Sequence, residues 1–85
     1  MLLKKIIEIG EVRVLKSIDD TKQRNSTDIA KHSNLTFATV SRTIKSLMNE
    51  KIVFKKRIKK KKVVLLTNKG KKIQLKLFEL SELLK

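Results

Sequence analysis

The chain has no cysteine, proline, tryptophan or tyrosine, and glycine occurs only at Gly10 and Gly70. Without cysteine, neither a disulfide framework nor a thiolate metal site can form. His32 is the sole histidine, so no second imidazole is available for a zinc site, and a partly solvated role near a helix end is expected for it. Phe37, Phe54 and Phe78 are the whole aromatic complement, which leaves out the stacking platforms of single-strand binders. Phe37 either joins the core or flanks an outer groove; its spacing to Val40 favours the core. No glycine-rich phosphate loop is present. None of Ser17, Ser26, Ser33, Ser41, Ser46 and Ser81 has a histidine–acid partner set, so no enzyme, cofactor or small-molecule ligand is expected.

Long apolar runs are missing too. None reaches the roughly 18 residues of a membrane span. The start, MLLKKIIEIGEVRVL, lacks the apolar region and cleavage site of a signal peptide. The expectation is a cytoplasmic, nucleoid-associated protein with no membrane partner.

Acidic residues are scarce. Against 8 Asp and Glu stand 22 Lys and Arg, a net charge of +14. Such an excess predicts an anionic partner, nucleic acid or anionic lipid. The excess is local, for residues 51–62 hold eight basic side chains and no acidic one. Residues 1–20 are nearly balanced, which argues for a binding face over general solubilisation.

With 85 residues the chain makes one small domain, 1–85, with no internal boundary. A domain of this size is marginal alone, and dimerisation is a common remedy. Few breakers and many Leu, Ile, Lys and Glu residues favour helices.

Residues 2–18 read as a helix, with Leu3, Ile6, Ile7, Gly10 and Val14 in one stripe. Val12 and Leu15 fall on another side and give this helix surplus apolar surface. A polar loop follows at 19–25. A short helix over 26–33 is expected to be capped by Ser26, with Asp28 in its first turn and Asn34 left-handed at its end. Thr36 caps the next helix, 36–50, and Leu35 staples onto Val40. Val40, Ile44, Leu47 and Met48 form its inward face, opposite Ala38, Thr39, Arg42, Lys45, Ser46 and Asn49.

Around Lys51 the pattern changes. Two short β-prone runs separated by lysines predict a hairpin over 52–66. Thr67 caps a last helix, 68–84, which has two apolar sides. Ile73, Leu77, Leu80 and Leu84 lie on one, Leu75 and Phe78 nearly opposite. We expect a homodimer built on the terminal helices, through Leu3, Ile7, Ile73, Leu77, Leu80 and Leu84. Which face of the last helix makes the contact is left open by the sequence.

A helix pair followed by a basic hairpin can be an ordinary helical hairpin beside a solvated strand. It also fits a double helix. A groove-binding helix needs short outer side chains, as Ala38, Thr39 and Ser41 are, and Arg42 can fork onto guanine. Lys45 is placed for phosphate. Eight crowded cations repel one another, and phosphates would relieve them by releasing counterions.

The element order, the string DIAKHSNLTFATVSRTIKSLMNEKIVFKKR and the junction LLTNKG at 65–70 resemble winged helix–turn–helix regulators of the MarR type. The resemblance covers roughly residues 11–73. It implies an α+β, mainly helical fold: three helices, a two-stranded wing and a C-terminal helix. It also implies a dimeric transcription factor that places Thr36, Ala38, Thr39, Ser41, Arg42 and Lys45 in the major groove.

Wings of that family usually carry an acidic residue and an arginine near the tip. This wing has Arg57 but otherwise lysines, so Lys55, Arg57, Lys59, Lys60, Lys61 and Lys62 are expected on phosphates rather than in selective insertion. The family often has glycine after the recognition helix, where this chain has Lys51. A left-handed Lys51 costs about 1 kcal/mol. The expected function is a homodimeric, sequence-specific, double-stranded DNA-binding transcriptional regulator. A nonspecific architectural DNA binder and an RNA-binding winged helix are the alternatives.

Overall fold

The structure is a computed structural model that describes residues 10–84. In chain order it contains α1 (Gly10–Ser17), α2 (Ser26–Ser33), α3 (Phe37–Asn49), β1 (Val53–Ile58), β2 (Lys61–Leu66) and α4 (Asn68–Leu83). This is a mainly helical α+β winged-helix architecture. The expected helix 2–18 falls partly outside the described residues, as do Leu3, Ile6 and Ile7.

α1 carries Glu11 in its first turn and Lys16 in its last, both favourable to the helix dipole. Val12 and Leu15, expected as surplus apolar surface, are buried along with Val14 and Ile18. α1 is enclosed because α2, α3 and α4 all pack against it. Its end is tied from a distance: Gln74 Nε2 donates to Leu15 O in the last turn and to Ile18 O just past the helix, each at 2.6 Å.

The loop after α1 is held by Asp19, whose Oδ1 accepts from the amide and hydroxyl of Thr21 at 2.9 and 2.6 Å. The N-cap of α2 is Asn25, not Ser26. Asn25 Oδ1 accepts from the Asp28 amide at 2.8 Å, and Asp28 Oδ2 accepts from the Asn25 amide at 3.1 Å. This reciprocal box needs an acceptor three residues after the cap. Counting from Ser26, that position is Ile29, which has none.

α2 and α3 end in the same way. Asn34 is left-handed at φ 58°, and the Leu35 amide reaches back to Ala30 O at 3.1 Å. Lys51 is left-handed at φ 60°, and the Ile52 amide reaches Leu47 O at 2.9 Å. Both are Schellman closures without glycine. Between them Thr36 caps α3, its Oγ1 accepting from the Thr39 amide at 3.2 Å. Val40, Ile44 and Leu47 are buried, but Met48 is exposed, contrary to its expected inward place. At 100° per residue it lies about 70° from the centre of the other three. Phe37, expected in the core, is 55% exposed; at 100° per residue it lies about 50° from the centre of the buried stripe.

β1 and β2 form one antiparallel pair, from Val53 opposite Leu66 to Ile58 opposite Lys61. The connection is only Lys59–Lys60; Lys61 and Lys62, expected within the turn, belong to β2. β2 is the inner strand. Its Val64 amide donates to Arg24 O at 2.9 Å and its Leu66 amide to Asp20 Oδ1 at 3.2 Å, so the loop covers the edge that β1 leaves. Thr67 caps α4 by accepting from the Gly70 amide at 3.0 Å. One core joins these parts, from Val14, Ile18, Ile29, Val40, Ile44, Val53, Val64 and Leu66, with Leu35, Ile52, Ile73 and Leu77 packed onto it.

Candidate nucleic-acid interface

α3 presents Thr36, Ala38, Ser41, Arg42 and Lys45 as exposed side chains. They share a helix because the Val40–Ile44–Leu47 stripe anchors the opposite face in the core. Thr39 is half-buried, and its Oγ1 accepts a hydrogen bond from Thr36 Oγ1 at 2.9 Å. Thr43 Oγ1 donates to Thr39 O at 2.8 Å, while the Thr39 hydroxyl acts as an acceptor and keeps its own proton to donate. Arg42 and Lys45 make no hydrogen bond or ion pair among the described residues. Glu11 of α1 borders the same face, in a shallow hollow of about 280 Å³ shared with Thr39, Arg42, Thr43 and Ser46. Sequence reading missed Glu11, because nothing local to α1 shows that it abuts α3.

The turn before α3 is clamped. Arg13 Nη2 donates to Ser33 O at 2.6 Å and to Asn34 O at 3.3 Å. This cross-link from α1 holds α2 and α3 at their junction, and its sequence separation hid it from motif reading.

In the hairpin, Lys55, Arg57, Lys59, Lys60 and Lys62 are exposed and uncommitted among the described residues. Lys56, omitted from the expected set, is equally exposed and continues the same cationic run. Lys59 adopts φ 56° at the tip, a conformation that tight hairpins require and that glycine or asparagine usually supplies. Lys61 differs from the rest: its Nζ lies 2.7 Å from Asp28 Oδ2 on α2. This lysine, followed by the Asn25 amide, holds the Asp28 carboxyl below its ordinary value. Asp19 is also held below the ordinary range, first by the Thr21 hydroxyl and then by its amide.

A cavity of about 510 Å³ opens between α1, α4 and the 19–25 loop, with Lys16, Arg24, His32, Lys71, Gln74 and Phe78 in its walls. Its polar groups are engaged within the chain. Arg24 donates to Ser17 O, Gln74 to α1, Lys16 to Ser81 Oγ, and Lys71 faces Asp20. His32 is exposed, with Nδ1 3.2 Å from Ser17 Oγ. No cluster of three or more metal-ligating side chains exists among the described residues. No helix among them is long and apolar enough to cross a membrane.

A family model described as winged helix-turn-helix matches residues 6–85. The chain belongs to the winged helix-turn-helix family. A solved structure, a protein of unknown function from Listeria innocua Clip11262, is similar at TM-score 0.78 and 22% identity, over 95% of this chain. At that identity the likeness shows the fold. This chain spans 60% of that protein's length. No protein of curated function matches the chain significantly. Within that family architecture, α2 and α3 form the helix-turn-helix and β1–β2 the wing.

Proposed function

We propose that the protein is a homodimeric, sequence-specific, double-stranded DNA-binding transcriptional regulator of the MarR-like kind. α3 enters the major groove and the wing lies on phosphates. The observation that carries this reading is an uncommitted, finely graded outer face on α3, next to a wing of uncommitted cations. Ala38 and Ser41 are short enough to let the helix sit deep, and Arg42 has the bidentate geometry for guanine. Lys45 and the wing lysines supply affinity by releasing counterions from phosphates.

The dimer is supported by apolar surface on α4. Ile73 and Leu77, expected at the contact, pack on this chain's own core, and Leu80 and Leu84 are half-buried. Leu75, Phe78 and Leu83 are exposed, at 57%, 44% and 81%. At 100° per residue Leu75 lies opposite the Ile73–Leu77 side, with Phe78 and Leu83 on its two flanks, and a second copy covers this surface in this reading. Two recognition helices then meet successive turns of the groove, about 34 Å apart.

A nonspecific architectural binder is the second reading. The run Lys59 to Lys62 favours it, since ammonium groups act as point charges and read no base edge. Selection of bound duplexes from a random pool separates the two. The regulator returns a pseudo-palindrome with half-sites one helical turn apart. An unenriched pool means the architectural reading, and preference for duplex RNA over DNA means neither.

A further inference from the structure

The wing has two different attachments. At its base, Val53 and Leu66 sit in the core, and the Asp20 carboxylate and Arg24 carbonyl bind β2. Toward its tip the side chains are mostly cations that repel one another. There, among the described residues, one ion pair ties the hairpin to the body of the domain, Lys61 to Asp28. Lys61 stands opposite Ile58, in the first pair after the Lys59–Lys60 turn, so the tie acts at the far end of the ribbon.

The acid partner is oriented in advance. Asp28 Oδ2 accepts from the Asn25 amide at 3.1 Å as half of the capping box, and the same oxygen meets Lys61 Nζ at 2.7 Å. The carboxylate loses little rotamer freedom when the lysine arrives, since the helix start has already fixed it. The pair is partly exposed, with 45% and 36% of the two side chains accessible, so its strength is that of a surface ion pair with good geometry.

We infer that Asp28 is the positioning residue of the wing, and that Lys61 gives its charge to Asp28 rather than to a DNA phosphate. The wing then presents Lys55, Arg57 and Lys62 on one face, with Lys59 and Lys60 at the tip, to the backbone at an angle set from α2. Asp28 on the brace helix provides an acidic partner that the wing itself lacks. This rests on the DNA-binding reading.

The test uses the full chain with Lys61→Met, Asp28→Asn and the double substitution. Methionine keeps the aliphatic length, and asparagine keeps an acceptor for the Asn25 amide. Two quantities are measured: the salt dependence of duplex DNA binding, and hydrogen exchange of wing amides without DNA. Lys61→Met should leave the salt slope unchanged. Asp28→Asn frees Lys61 for phosphate and should steepen the slope by about 0.9, an extra loss of about 3.5-fold between 50 and 200 mM salt. The double variant should return to the parent slope. Both single variants should exchange wing amides faster.

A slope shallower by about 0.9 in Lys61→Met, with Asp28→Asn unchanged, overturns the proposal. So does unaltered wing exchange in both single variants. If the parent protein binds no duplex DNA, the DNA-binding reading fails instead, and the exchange rates alone decide whether the pair positions the wing.

Discussion

Gly70 and Ile52 meet so closely that a Cβ on Gly70 would overlap the Ile52 carbonyl oxygen. That oxygen already accepts from the Thr67 amide and hydroxyl, both at 3.0 Å, and the same hydroxyl caps α4 at the Gly70 amide. The close approach is therefore what lets α4 start directly against the end of α3. Gly70→Ala should destabilise the fold by about 1–3 kcal/mol, as overpacking does. Urea unfolding followed by circular dichroism measures this; an unchanged midpoint would show that the junction relaxes freely.

Lys51 holds φ 60° where glycine is the easier residue. A left-handed non-glycine residue costs about 1–2 kcal/mol. Glycine returns about 0.4–1 kcal/mol of that through the entropy of the unfolded chain. Lys51→Gly should raise stability by about 0.5–1 kcal/mol, whereas Lys51→Val should lower it, since a β-branched residue is worse there. Thermal melts of the two variants against the parent give the comparison.

Arg42 and Lys60 should divide reading from holding. Arg42→Ala is expected to cost about 1–3 kcal/mol on the preferred site and to relax preference at one base position. Lys60→Ala should weaken all sequences alike and make the salt slope shallower by about 0.9. Titration of matched and scrambled duplexes at two salt concentrations tests both. Uniform losses from both variants would favour the architectural reading.

Asp28 and Asp19 are both held below the ordinary carboxylate value, by Lys61 and by Thr21 respectively. A depressed native value means that their contribution is fully present above the unfolded value, about 3.9. It is lost as pH falls through the lower native value. The contribution of these two carboxylates should thus be constant from pH 7 to about 5 and decline below about 4. Asp28→Asn should flatten part of that decline in urea melts collected across the range.

Leu75 is exposed on the far side of α4, away from Ile73 and Leu77. If a second copy covers this face, Leu75→Glu should shift the protein to a monomer in sedimentation while circular dichroism is unchanged. Paired half-sites would then bind no more tightly than single ones. A parent protein that sediments as a monomer at micromolar concentration would remove the dimer from the proposed function.

Much of the fold was legible because its punctuation is local. Asn34, Thr36 and Thr67 act within a few residues of their own positions, and the structure uses all three as expected. The cap of α2 was displaced by one residue because two good cap formers stand side by side, and only the reciprocal bond between Asn25 and Asp28 separates them. Met48 sat at the edge of its stripe, where burial depends on how far the neighbouring layer reaches.

The sequence by itself determined the order of elements, the inward stripe of α3 and the cationic character of the hairpin, since periodicity, capping and charge are properties of neighbouring residues. Tertiary structure alone decided which apolar residues were spent inside the domain: Val12, Leu15, Ile73 and Leu77 went to the core, while Phe37, Leu75 and Leu83 stayed outside. It also separated Lys61 from six otherwise similar cations by bringing Asp28 to it. Burial and ion pairing both depend on partners remote in the chain, and no local pattern carries that information.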